Sequence, residues 1–321
     1  MSGIDPKLVA IASLTDIGRR RDTNQDYCDV FDSPSGGRLL VVADGMGGHR
    51  GGATASRIAT ETIGELFRAG TGESSDILFD AITEANQRVH QKSIDEPELR
   101  GMGTTVVALL FDAEGLVWVA HVGDSRAYRL HASGMEQITQ DHSVVGEMVR
   151  RGLITAEEAE VHPRRNEILR SVGVEEQVDI DVAQVLSAPG DFFILCSDGL
   201  TGLVSDLEIA RVIKAEVPEN AAKRLVEMAN DGGGLDNITV QIARVPSDET
   251  QAIHYQPPVQ DVATETPPLD FKLWLALAIA GLIAGYFVFS ASGPEPKTAS
   301  PEAAVETRTQ EPGTGGENSS P

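Results

Sequence analysis

Residues 38–49 read Arg38-Leu39-Leu40-Val41-Val42-Ala43-Asp44-Gly45-Met46-Gly47-Gly48-His49. The run up to Ala43 has the length and branching of a buried strand. That strand ends on a carboxylate. The glycines after it keep the turn free of side chains, so an ion or a phosphoryl group can approach the backbone. Taken alone, Asp-Gly after a strand is an ordinary turn. Two further stretches repeat the arrangement: Phe192-Phe193-Ile194-Leu195-Cys196 runs into Ser197-Asp198-Gly199, and residues 117–122 run into Gly123-Asp124. A fourth acid, Asp236, stands just before a last apolar run, in Gly232-Gly233-Gly234-Leu235-Asp236-Asn237.

Each of these acids could singly be a hairpin or capping aspartate. Together, at strand ends and three of them beside glycine, they point to a convergent oxygen-ligand site. All-carboxylate sites suit the hard ions magnesium and manganese, with waters completing the octahedron. Zinc would draw on His or Cys, and the seven histidines show no ligand spacing.

Outward from this stretch, strand and helix patterns alternate. Strands are expected at 9–14, 104–111, 116–122, 126–130, 178–186, 192–196 and 238–245, with an arginine-rich polar loop at 15–26. Helical spacing marks 53–67, 77–94, 206–217 and 221–230, and two short helices are expected at 144–151 and 156–161. Many strands with about four substantial helices predict two packed sheets flanked by helices, forming one domain over residues 7–246.

Lys and Arg total 26 against 49 Asp and Glu, a net charge of −23. So acidic a surface repels phosphate backbones and argues against nucleic acid as a general partner. The only cysteines, Cys28 and Cys196, are too few for a disulfide scaffold. Neither is followed six residues on by an arginine, as a phosphocysteine mechanism would need. Cys196 reads as a small buried hydrophobe. The chain opens without the charged and apolar regions of a signal peptide, so the domain is expected in a reducing cytosol.

Residues 247–270 hold four prolines, five acids and no Lys or Arg, and are expected to form an extended, disordered linker. The next 21 residues, 271–291, carry one charge, Lys272, and match the roughly 30 Å hydrocarbon core of a bilayer. A single transmembrane helix in the inner membrane is therefore expected, with the domain in the cytosol and residues 292–321 as a disordered tail beyond. Gly281 and Gly285 form a Gly-x3-Gly pair on which two such helices could weakly self-associate.

Six motifs carry a resemblance: Arg21-Asp22-Thr23-Asn24-Gln25-Asp26, Asp44-Gly45-Met46-Gly47-Gly48-His49, Gly103-Thr104-Thr105, Gly123-Asp124-Ser125-Arg126, Ser197-Asp198-Gly199-Leu200 and Asp236-Asn237-Ile238-Thr239. In this order they resemble the motifs of metal-dependent (PPM, type 2C) protein serine/threonine phosphatases, in particular the bacterial branch that joins the domain to one membrane helix. The resemblance implies an α+β fold, a four-layer αββα sandwich of two antiparallel sheets, with two tightly held Mn2+ or Mg2+ ions at one end. It implies hydrolysis of phosphoserine and phosphothreonine in phosphorylated proteins, the products of a cognate serine/threonine kinase, by a metal-activated water. A catalytically silent, membrane-tethered phosphoprotein-binding module is the alternative. It would be marked by loss of a bridging aspartate or of the phosphate arginine.

By motif, the resemblance makes Asp44 the bridging ligand, with the Gly45 carbonyl on one ion and Asp198 and Asp236 on the other. Asp124 would join Asp198 on a weaker third ion, and Asp26 would complete the metal site. Arg21 aligns with the phosphate-binding arginine, whose fork fits two phosphate oxygens. Arg19 and Arg20 read as solvated charges. His49 has two readings, a general acid for the leaving seryl oxygen or a loop or capping histidine. Gln25 stands where many relatives carry Glu, which removes one negative charge from the site. Asp141-His142-Ser143 resembles the start of the family's mobile flap, with Asp141 in a supporting place. The arginines after it, Arg150, Arg151, Arg164, Arg165 and Arg170, read as a solvated face.

Overall fold

The computed structural model describes residues 4–246, apart from the side chain of His49. The expected linker, membrane helix and tail lie outside these residues. Among the described residues, no helix is long and apolar enough to cross a membrane.

Eleven strands form two antiparallel sheets among these residues. One comprises β1 (Ala10–Asp16), β7 (Arg126–His131), β8 (Gly134–Gln137), β10 (Phe192–Cys196) and β11 (Ile238–Arg244), in the order β1-β11-β10-β7-β8. The other comprises β2 (Asp26–Asp32), β3 (Arg38–Met46), β5 (Val106–Phe111), β6 (Val117–Val122) and β9 (Asp181–Val185), in the order β2-β3-β5-β6-β9. The two-residue β4 (Gly103–Thr104) pairs with the end of β3. The long helices α1 (Gly48–Ala69) and α2 (Ser74–Asp95) pack on the second sheet. The pair α6 (Asp206–Ala215) and α7 (Pro218–Asp231) packs on the first. Three short helices complete the described chain: α3 (Val144–Arg150), α4 (Ala156–Glu160) and α5 (Asp198–Thr201). Two antiparallel sheets flanked by helices were the expectation, and they are what the chain forms.

The unbroken apolar run of β3 follows from its place between two cores. Leu39, Val41 and Ala43 face α1 and α2, while Leu40 and Val42 face the other sheet. A strand covered on both faces has no polar side to show. The helices, covered on one side only, keep a stripe. In α1 the buried Ala55, Ala59, Ile63 and Phe67 recur every four residues. The inter-sheet core is centred on Phe111 and Phe193, whose rings meet edge to face at 5.7 Å.

Several boundaries differ from the sequence expectation. The helix α1 begins at Gly48 rather than at 53. Glycine is a poor helix former, which hid this first turn. Packing demands it nonetheless: a Cβ on Gly45 would lie 2.1 Å from the Gly52 carbonyl oxygen, and one on Gly52 would lie 2.6 Å from that of Gly45. The helix start is thus laid directly on the strand end. Strand β2 was not anticipated, because its Asp26, Asp29 and Asp32 look like loop residues. It is an edge strand, where polar residues cost little. Strand β8, also at an edge, falls outside the expected strands as well.

Strands β10 and β11 run side by side and their connections meet at one end of the sandwich. There Gly199 approaches Asn237 so closely that a Cβ would stand 1.9 Å from its carbonyl oxygen. Gly199→Ala is expected to cost about 3 kcal/mol, the upper end of overpacking effects. In a domain of this size that is a fall of roughly 6–12 °C in melting temperature. An unchanged calorimetric melt would show that the two turns separate freely.

Candidate metal centre

Both sheets contribute carboxylates to the end where Gly199 meets Asn237. Asp44, near the end of β3, sits opposite Asp26 of β2 in the strand register. Asp198 follows β10 and Asp236 precedes β11, on the other sheet. Asp124 lies in the turn from β6 to β7. These five feel one another. Asp44 is pushed well above the usual carboxylate range, first by burial and then by the charges of Asp26, Asp198, Asp124 and Asp236. Burial is also the main cause for Asp124, pushed up to about 7, with Asp198 and Asp141 adding to it. Asp26 is likewise raised to about 7 by burial, opposed by hydroxyl hydrogen bonds from Thr239 and Ser197. Asp198 is raised by burial and by Asp236, while a hydrogen bond to Asp44 and the charges of Arg21 and Arg126 hold it down.

The backbone that carries Asp44 is pinned on two sides. Its N–H donates to Thr105 Oγ1 at 3.0 Å, and its carbonyl accepts from Thr105 N–H and from the Thr104 hydroxyl, both at 2.8 Å. Thr105 Oγ1 also meets Ser125 Oγ at 2.7 Å, which ties the Asp44 strand end to the turn holding Asp124. The Gly-Thr-Thr and Gly-Asp-Ser motifs thus serve one scaffold. Across the sandwich, Asp26 Oδ2 accepts from Ser197 Oγ at 2.8 Å and from Thr239 Oγ1 at 2.7 Å. Asn237 fixes the remaining loop, donating to the carbonyls of Ile17 and Thr23 and accepting from Gln25 N–H at 2.8 Å. Ser197, Thr239, Asn237 and Thr105 stood in the quoted motifs, yet nothing in the sequence showed which carboxylate each would hold.

One oxygen on each of two acids is left over. Asp26 Oδ1 and Asp198 Oδ1 are buried and have no hydrogen-bond partner among the described residues. Buried polar atoms are rarely orphaned in this way. Unsatisfied oxygens, mutually repelling carboxylates and a bare Gly45 backbone together make a donor set that fits hard divalent cations.

Arg21 reaches this end of the sandwich, its Nη2 2.6 Å from Asp236 Oδ2, with the side chain 49% exposed. Gln25 donates from Nε2 to the Gly48 carbonyl at 2.5 Å, a bond that a carboxylate could not make. The backbone of His49 lies in the first turn of α1, and its side chain lies outside the described structure. Asp141 is held by the guanidinium of Arg126, with contacts of 2.7–3.0 Å, and by Gln137 Nε2 at 2.8 Å.

The structure also gathers a cluster that spacing did not reveal, His121, His142 and Asp181. His142 accepts from Gly123 N–H at Nδ1, and its own N–H donates to the Gly123 carbonyl at 2.9 Å. Its Nε2 faces Asp181 at 3.3 Å, and Arg170 reaches Asp181 at 3.1 Å. His121 stacks on the His142 ring with centroids 4.6 Å apart, and burial pushes it down to about 4. This group clamps the turn that presents Asp124. Arg170, read from sequence as part of a solvated face, already supplies the cation here. The histidines come from β6 and from the loop before α3, a pairing that only the sheet geometry brings about.

Comparison with known proteins bears on the same residues. The family model described as protein phosphatase 2C matches residues 18–229. The protein phosphatase PhpP of Streptococcus pneumoniae is 36% identical over 253 residues, which cover 75% of this chain and 99% of that protein. The serine/threonine phosphatase stp of Listeria monocytogenes is 40% identical over 243 residues, covering 74% of this chain and 95% of that one. A crystal structure of the catalytic domain of the serine/threonine protein phosphatase PstP, in complex with two manganese ions, superposes with a TM-score of 0.65 at 35% identity. It covers 74% of this chain and 98% of that domain.

The crowding of the acids has a measurable sign. Folded-state values near 7, against about 3.8 unfolded, mean that the metal-free native state binds the extra protons between these limits. Stability therefore falls as pH rises through that window. With metal chelated, Asp44→Asn is expected to melt higher than the native protein at pH 8, by at least about 3 °C or roughly 1 kcal/mol. The gap should narrow towards pH 5. A variant less stable than the native protein at pH 8 would show that Asp44 is not repelled.

Proposed function

The chain belongs to the protein phosphatase 2C family and is a serine/threonine protein phosphatase, and from that premise we propose which residues act and where in the cell they do so. The observation that carries the reading is the convergence of Asp44, Asp198, Asp236, Asp124 and Asp26 at one end of the sandwich, with Arg21 beside them. Asp44, the Gly45 carbonyl, Asp198 and Asp236 would hold two Mn2+ or Mg2+ ions. Asp124 with Asp198 would take a weaker third. When bound, such ions lower the pKa of a shared water and neutralise charge on the phosphoryl oxygens.

The chain's own groups do the rest. Arg21 binds and orients the phosphoryl group with a planar fork, as its exposed side chain at the lip of the centre allows. Asp26, buried and with one oxygen free, orients a water beside the acids. Its other oxygen is taken up by Ser197 and Thr239, so the free one cannot swing away. His49, in the first turn of α1, donates the proton that the leaving seryl or threonyl oxygen requires. The substrates are phosphoserine and phosphothreonine side chains of proteins phosphorylated by a serine/threonine kinase.

The domain works on a membrane stalk. Residues 271–291 form the spanning helix, the catalytic domain faces the cytosol, and two copies associate weakly through Gly281 and Gly285. Supporting this are the 21-residue run with one charge and two free thiols, Cys28 and Cys196, which suit a reducing compartment.

The purified protein is expected to hydrolyse phosphothreonine peptides with Mn2+ and to stop when EDTA is added. Asp198→Ala should lose turnover altogether. Arg21→Ala should raise KM about tenfold, the loss of one charge-assisted contact of roughly 1.5–3 kcal/mol. Full activity in EDTA would remove the metal from the reaction, and an unchanged KM would move phosphate binding off Arg21. Protease added to intact spheroplasts should trim residues beyond 291 and spare the domain. Digestion of the domain from outside would reverse the orientation.

A further inference from the structure

An open groove of about 730 Å3 runs beside the metal centre, lined among others by Asn24, Asp26, Arg50, Arg57 and Lys92. Asp26 belongs both to the groove and to the cluster of acids, so the two are continuous. A protein substrate with its phosphoryl group at the centre must lay its flanking residues along the adjoining surface, and this groove is such a surface.

The lining has a particular chemistry. Arg50 and Arg57 both project from α1 and both are exposed. Seven residues apart, they stand on one face of the helix, about 10 Å from one another along its axis. Between them the groove is lined by Ala53 and Thr54, side chains small enough to leave a trough. Lys92 is neutralised by Glu96, and two further carboxylates, Asp26 and Glu98, also line the groove. Arg50 and Arg57 have no ion pair among the described residues, in a chain whose net charge is −23. Two arginines on one helix face that make no ion pair of their own leave guanidinium donors that the anions of a ligand can satisfy. An extended peptide advances about 3.3 Å per residue, so 10 Å is the reach of three residues.

We propose that this groove is a substrate subsite for acidic side chains. It selects phosphoproteins in which two anionic residues, about three positions apart, flank the phosphoserine or phosphothreonine being hydrolysed. Arg50 and Arg57 each receive one anion, a carboxylate or a second phosphoryl group, in a charge-assisted fork. The proposal rests on the reading of the acid cluster as the hydrolytic centre, and it gives the substrate class for that centre.

The test uses the full-length protein in detergent with Mn2+ and a set of phosphothreonine peptides alike except in their flanks. One carries a glutamine pair three residues apart, two carry a glutamate pair on either side of the phosphothreonine, and two carry non-hydrolysable phosphonates at the same positions. On one side, an anionic peptide is expected to exceed the glutamine peptide in kcat/KM by tenfold or more, a ratio equivalent to about 1.4 kcal/mol. The gain should lie mainly in KM and shrink as salt is added. The larger gain, from carboxylate or phosphonate, identifies the natural anion. In the double variant Arg50→Glu/Arg57→Glu the ratio should fall to one or below, and because it compares substrates on one protein, it does not depend on how much of the variant is active. Equal kcat/KM across the peptides, or a preference that survives in the double variant, would overturn the proposal. Hydrolysis of a small aryl phosphate is followed in parallel, and its failure in the native protein would fell the hydrolytic reading instead. In that event, anisotropy of a fluorescent acidic peptide on native and double-variant protein still decides the groove: equal affinities overturn it.

Discussion

Repulsion among crowded, partly buried carboxylates is the constraint from which the rest of this structure can be understood. Five aspartates meet where the two sheets end, and burial together with neighbouring carboxylates makes ionisation of Asp44, Asp26, Asp124 and Asp198 harder. Such an arrangement survives only if the surrounding chain prevents the acids from turning outward to water. The hydroxyls of Thr104, Thr105, Ser125, Ser197 and Thr239 supply that restraint, each bonded to the backbone or side chain of an acid or to a neighbour that is. The apolar sandwich beneath, around Phe111 and Phe193, is the rigid base from which they are held. Stability is given up at one end so that divalent charge is welcome there.

The two glycine contacts serve the same end. Gly45 against Gly52, and Gly199 against Asn237, let main chains approach within distances that any side chain would forbid. The first sets the start of α1 on the end of β3. The second joins the two turns that carry Asp198 and Asp236. A carboxylate cluster built from five separate stretches of chain depends on such joints more than on any single hydrogen bond.

Much of this was legible beforehand. The apolar runs of β3, β5 and β10 are buried on both faces, so composition alone announced them. The acids at their ends were visible as a repeated pattern, and the motifs around them carried the family. The hidden parts share a physical cause, namely dependence on non-local contacts. Strand β2 is polar because it is an edge. The glycine-rich first turn of α1 is helical because of what it packs on. The His121, His142 and Asp181 clamp exists only because β6 lies beside β9 and the segment before α3 folds back onto the turn at Gly123. Arg170, counted as a surface charge, is drawn in by Asp181. The partner of Gln25 could not be read either, since the Gly48 carbonyl is offered by that same unexpected turn.

The ion pair between Arg21 and Asp236 has a further consequence. An arginine standing alone would bind any phosphate with its full electrostatic attraction and would be slow to let it go. Here an incoming phosphate competes with an anion that the guanidinium already holds, so binding becomes an exchange, and its strength is the difference between two salt contacts. That difference is small for a free phosphate ion, which brings no other contacts with it. A phosphoprotein adds the grip of its flanking residues. The resting pair therefore tilts the enzyme towards weak retention of its product, which keeps turnover from stalling where inorganic phosphate is plentiful.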